Sequence, residues 1–163
     1  MWTTLAQVSR QVATTESPAS LLDCSETCLQ YAIVPILGVG GTLVLGLSLA
    51  DIVLDFQQVS GTDLGLLVEQ TRITSKNGDG ERWLQQWGVK IAALSNMRTN
   101  IEILRVATRE NTLSDSTRQS VYVNINNREF EVRLFPLVGF GEWTDAYLVI
   151  VADVSDAMAK IRA

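Results

Sequence analysis

Leu5, Val8 and Val12 recur at helical spacing and predict a helix over residues 2–22, with Ser17-Pro18 as a candidate interruption. Residues 31–50 then carry no charge at all. An apolar run of about 20 residues is long enough to span a bilayer. Here Pro35, Gly38, Gly40, Gly41 and Gly46 punctuate it too heavily for a helix. The run divides at residues 38–41 into two β-rich segments, 31–37 and 42–49. That pattern predicts a hairpin closed by a glycine turn, with both faces largely buried because strict alternation is missing.

Further along, residues 51–60 predict a short helix closed by Gly61, and residues 63–69 a strand. Asn77-Gly78-Asp79-Gly80 marks a polar loop over 75–81. Residues 89–94 predict a strand, although Trp83 and Trp87, one helical turn apart, leave open a helix running into it. Residues 96–109 predict an amphipathic helix with Met97, Ile101, Leu104 and Ala107 on one face. Residues 120–138 form two strands around Asn126-Asn127 or one long bent strand. A last strand covers 147–153, and a closing helix starts at Ser155.

Two parts of the chain share a plan. Val34-Pro35-Ile36-Leu37 matches Phe135-Pro136-Leu137-Val138, and a glycine-containing turn follows each. A second strand comes next, Leu43-Val44-Leu45 or Leu148-Val149-Ile150, and then Asp51 or Asp156 at the entry to a helix. An acidic residue there meets the positive end of the helix dipole. Two copies of one supersecondary unit imply a tandem α+β arrangement, with residues 1–60 as a half-unit and 61–163 as a complete one. The first copy shows no opening strands, so its sheet is expected to be incomplete.

Composition narrows the chemistry. At 47% hydrophobic and 19% charged the chain is globular, and its net charge of −5 disfavours nucleic acid as a partner. Histidine is absent, which removes Ser-His-Asp and Cys-His catalysis and most zinc sites. Gly38-Val39-Gly40-Gly41 lacks the third glycine of a dinucleotide loop, and Ser48 has no histidine to activate it. No enzyme, metal or cofactor is therefore expected of this chain. Cys24 and Cys28 stand four apart, which on a helix brings their α-carbons to about 6 Å, within disulfide reach. Two free, partly buried thiols are the alternative. Arg133 lies on an apolar strand beside Phe135, so it is either paired, solvent-facing or aimed at a ligand. A carboxylate would suit its guanidinium fork. Tyr122 and Trp143 are candidate pocket aromatics, and Arg105 a candidate cation on the amphipathic helix.

Cys24-x3-Cys28-Leu29-Gln30-Tyr31, Val34-Pro35, residues 45–51 (Leu-Gly-Leu-Ser-Leu-Ala-Asp) and residues 62–68 (Thr-Asp-Leu-Gly-Leu-Leu-Val) resemble a double sensory domain of the PAS-like/Cache type. Residues 131–137 and Val151-Ala152-Asp153-Val154-Ser155 resemble its second half. The resemblance covers most of residues 21–161. It implies antiparallel sheets flanked by helices, in the extracytoplasmic, periplasmic part of a bacterial membrane receptor. Output would come from a cytoplasmic histidine kinase, diguanylate cyclase or phosphodiesterase. It also implies that this chain is excised from a longer one whose membrane helices are absent here. Residues 1–30 lack a basic start followed by an apolar core, so no signal peptide is expected. In an oxidising compartment Cys24 and Cys28 lean towards a disulfide. The expected partners are a small ligand, anionic if Arg133 binds it, in a pocket between the sheet and helix 96–109, and a second copy of the chain as a homodimer. The other reading is a dimerising interaction module that binds no small molecule.

Overall fold

The computed structural model describes residues 2–23, 28–69, 82–137 and 146–162. They fall into two compact units, residues 2–49 and 50–162. The fold is α+β, with antiparallel sheets throughout and five helices among the described residues.

The first unit holds α1 (Trp2–Thr15) and a three-stranded sheet, β1 (Ala19–Asp23), β2 (Leu29–Ile36) and β3 (Gly41–Ser48), in that spatial order. The predicted long N-terminal helix stops at Thr15, and Leu21 and Leu22 belong to β1 instead. Pro18 explains the break, because it forces the preceding residue out of the helical region. The glycine hairpin is present. Ile36 pairs with Gly41, and Gly38 and Gly40 take φ of +76° and +69°, which glycine adopts without steric cost. No helix among the described residues is long and apolar enough to cross a membrane.

One expectation fails here. Both faces of the β2–β3 hairpin were to be buried. Ile33 is indeed fully buried, but Val34, Ile36, Leu43, Leu45 and Leu47 are exposed. Strand alternation and register place those five on one face. Helix α1 packs against β1, β2 and β3 and covers the other face, the one that holds Ile33.

The second unit begins with α2 (Leu49–Ser60), which ends where Gly61 (φ +69°) donates its N–H to Gln57 O at 2.9 Å. A six-stranded sheet follows, in the order β5-β6-β4-β9-β8-β7. Its strands are β4 (Asp63–Glu69), β5 (Trp83–Leu84), β6 (Val89–Leu94), β7 (Val121–Ile125), β8 (Arg128–Pro136) and β9 (Ala146–Asp153). The helices α3 (Met97–Glu110) and α4 (Leu113–Arg118) precede β7, and α5 (Ser155–Arg162) closes the chain. Trp83 and Trp87 do not share a helix. Trp83 is in β5, and Trp87 sits in the following turn with its indole N–H on Asn111 O at 2.8 Å. The polar loop expected over 75–81 lies outside the described residues.

Asn126 and Asn127 both take positive φ (51° and 61°), the requirement of the tight turn that joins β7 to β8. Helix α3 buries Asn100, Ile103, Leu104, Ala107 and Thr108, with Met97 and Ile101 at the margin. These side chains meet Leu67, Ile91, Val121, Val132, Leu134 and Val149 from the sheet in one core. Gly65 allows close approach there. A Cβ on it would lie 2.6 Å from Leu94 Cδ1 and 2.8 Å from Val149 Cγ1. Helix α4 was not predicted. Thr112 caps it, accepting from Asp115 N at 3.2 Å and donating to Asp115 Oδ2 at 2.6 Å. It packs against β8, which β7 stops pairing at Val132.

The hairpin-and-helix plan recurs as the sequence implies. β2–β3–α2 and β8–β9–α5 follow one order, with Pro35 opposite Thr42 and Pro136 opposite Tyr147.

Candidate functional site

Helix α5 leaves the sheet immediately after β9, and its first turn must satisfy backbone N–H groups that have no partner inside the helix. Asp153, the last residue of β9, supplies the acceptor. Its Oδ1 takes the Ser155 N–H at 3.0 Å and the Ser155 hydroxyl at 2.5 Å. Its Oδ2 takes Arg128 Nε at 2.9 Å and the Arg128 Nη2 group as an ion pair. Arg128 opens β8 and lies 5.3 Å over the ring of Phe130, a core residue. Two further bonds come from the neighbouring residue of β8. Glu129 N donates to Ser155 Oγ at 2.9 Å, and Val154 N donates to Glu129 O at 2.8 Å. The start of α5 is thereby clamped to the start of β8 through the side chains of Arg128, Asp153 and Ser155 and the backbone of Glu129 and Val154. The Ser155 hydroxyl and then the Ser155 amide hold the Asp153 carboxyl low, from 3.8 to about 2, with Arg128 adding to them and partial burial opposing.

The other candidates do not converge. Alternation along β8 sends Phe130, Val132 and Leu134 into the core, and Glu129, Glu131, Arg133 and Phe135 to the opposite face. Tyr122 pairs with Glu131 and shares that opposite face. Arg133 is exposed, its guanidinium 5.0 Å from the centre of the Phe135 ring. Glu131 accepts from the Ser120 hydroxyl. Arg105 is on the exposed side of α3, across the sheet from Arg133 and Tyr122. Trp143 lies outside the described residues. Where a pocket was expected, between the sheet and α3, Ile103, Leu104 and Ala107 are buried in the core, each with at most 1% of its surface exposed.

Cys28 is buried and disulfide-bonded; Cys24 lies outside the described residues. Cys28 precedes β2 directly, and Asp23 pairs with Leu29. Cys28 itself therefore lies outside any helix, beside the last pair of the β1–β2 ladder.

Sequence reasoning passed over the clamp. The usable signal was Asp153-Val154-Ser155 between an apolar strand and a helix, an arrangement in which an Asp side chain accepts from the amide two residues on. Arg128 gave no local signal, because register alone brings it to Asp153.

Comparison with curated proteins finds no match to the chain. The family model dCache_3, described as the double sensory domain of two-component sensor kinases, matches residues 2–158. Two hairpin-and-helix units on antiparallel sheets agree with that description, and the chain belongs to the dCache_3 family of double sensory domains.

Proposed function

We propose that the chain is the extracytoplasmic sensor of a bacterial membrane receptor, in which α5 carries the response of the second unit's sheet towards a cytoplasmic output domain. A histidine kinase is the output that the family description favours, and a cyclic-di-GMP enzyme is the other. The observation that carries this reading is the clamp at Asp153. A helix held to β8 by Arg128, Asp153, Ser155 and Glu129 cannot keep its direction when that end of the sheet moves. A stimulus acts by favouring one arrangement of sheet and helix over another.

The stimulus in this reading is a small anion that engages Arg133, with Tyr122 on the same face. A thermal-shift screen against small carboxylates, amino acids and nucleobases tests it. A binder present at about 100 times its Kd adds about 2.7 kcal/mol of stability, a rise of several degrees. Arg133→Gln should abolish that rise without lowering the unliganded melting temperature. A set of compounds that leaves the melting temperature unchanged, or a shift that survives Arg133→Gln, counts against the ligand.

The filled interior beneath α3 favours a second reading, an interaction module that responds to another protein. In that case no small compound shifts the melting temperature, while Asp153→Asn still loosens α5.

A further inference from the structure

We infer that the uncovered face of the β2–β3 hairpin is a docking surface for a second copy of this chain, packed sheet to sheet about a two-fold axis. The inference names the partner in the receptor reading above, and it stands on different residues from the ligand and the clamp.

Val34 and Ile36 on β2 and Leu43, Leu45 and Leu47 on β3 share one face, 42–61% exposed. Leu37 and Val39 extend it across the turn at 70% and 75% exposed. Together these seven side chains expose on the order of 700 Å², more than the ~300–600 Å² of the largest patch on a typical monomer. Per partner, a standard specific interface buries about 800 Å².

Charge argues for self-association. Residues 31–50 contain no charged side chain, and the neighbouring positions on this face are Gln30, Ala32 and Gly41, with Ser20 and the buried Leu22 of β1 beyond them, none of them charged. Such a face cannot select a partner by charge, and it cannot repel a copy of itself. Isologous pairing needs a self-complementary patch, and twisted sheets pack face to face about 10 Å apart. β3 is also an edge strand with no lysine, proline or bulge along its pairing with β2, so it lacks the usual guards against association.

Sedimentation of the wild-type chain between about 1 and 100 µM, without any added compound, tests this. The expected result is a dimer that dissociates on dilution. Leu45→Glu places like charges across the two-fold and should weaken association at least about a hundredfold while leaving the circular dichroism unchanged. An equimolar mixture of the Leu45→Glu and Leu45→Lys chains should dimerise again. A wild-type monomer over the whole range overturns the inference, whether the face is covered by the rest of the same chain or stays bare. So does a Leu45→Glu chain that dimerises as tightly as wild type, or a mixed pair that stays monomeric. Should Leu45→Glu fail to fold, amide exchange of wild-type β3 decides. Protection must rise with protein concentration, and concentration-independent exchange overturns the inference. None of these results depends on a ligand, so a failed thermal-shift screen leaves them standing.

Discussion

Replacing Asp153 with Asn isolates the charge in the clamp. Asn keeps the size and one acceptor oxygen, so the Ser155 amide can still be satisfied, but it loses the ionic share of the bonds to Ser155 and Arg128. The carboxyl titrates at about 2 in place of 3.8, so the folded state favours the ionised form. A depressed pKa contributes stability that is fully present above the unfolded value. That stability is lost as pH falls through the folded value, here between about 4 and about 2. Taken at face value the shift is worth about 2.4 kcal/mol. Asp153 is a third exposed, and water screens an exposed ion pair, so about 1 kcal/mol is the expected contribution. In a chain of this length that lowers the melting temperature by about 2–4 °C. Urea or thermal unfolding of wild type and Asp153→Asn, followed from pH 7 down to pH 2, reads the difference. It should be near 1 kcal/mol at pH 7 and only a small fraction of that at pH 2, where wild-type Asp153 is about half protonated in the folded state. A gap that stays constant from pH 7 to pH 2 would refute the electrostatic account of the clamp.

Two further substitutions probe the second unit's core. Leu104→Ala, at a fully buried position between α3 and the sheet, should cost about 2.7–5 kcal/mol in chemical denaturation, since both walls are already close-packed. A cost below about 1 kcal/mol would mean that the interior is loose enough to hold a ligand after all. Gly65→Ala should destabilise by about 1–3 kcal/mol, because its Cβ would overlap Leu94 and Val149 while the Ala93 carbonyl stands 3.1 Å away. A neutral or stabilising outcome there would show that Leu94 and Val149 can give way at little cost.

Local signals carried much of the fold. Asp63–Glu69 forms the strand its apolar run predicts, and Asn126-Asn127 and Gly38–Gly41 close their hairpins through positive φ that those residues tolerate. The short elements were harder. β1 spans only five residues, too few for strand alternation to stand out from the helix predicted over residues 2–22. Helix α4 has six residues and no apolar stripe, so only the Thr112–Asp115 cap announces it. Burial on the hairpin is not legible in sequence because a sheet's two faces look alike when both are apolar; only tertiary structure shows that α1 covers one of them. The same limit applies to the site. Arg133 is legible as a charge on an apolar strand and Tyr122 as a candidate pocket aromatic, and the structure gives them a common face. Arg105 sits across the sheet from them because α3 turns its apolar side inward. The clamp joins residues 25 positions apart through β8–β9 register, and no local pattern encodes that pairing.

The central claim is that α5 is tied to the sheet at Asp153, and amide hydrogen exchange tests it most directly. In wild type the Val154 and Met158 amides, bonded to Glu129 O and Val154 O, should be protected. Asp153→Asn should speed exchange across α5 by about fivefold, the equivalent of about 1 kcal/mol, while Leu66 and Val149 in the core keep their wild-type rates. Unprotected α5 amides in wild type, or α5 exchange unchanged by Asp153→Asn, would contradict it.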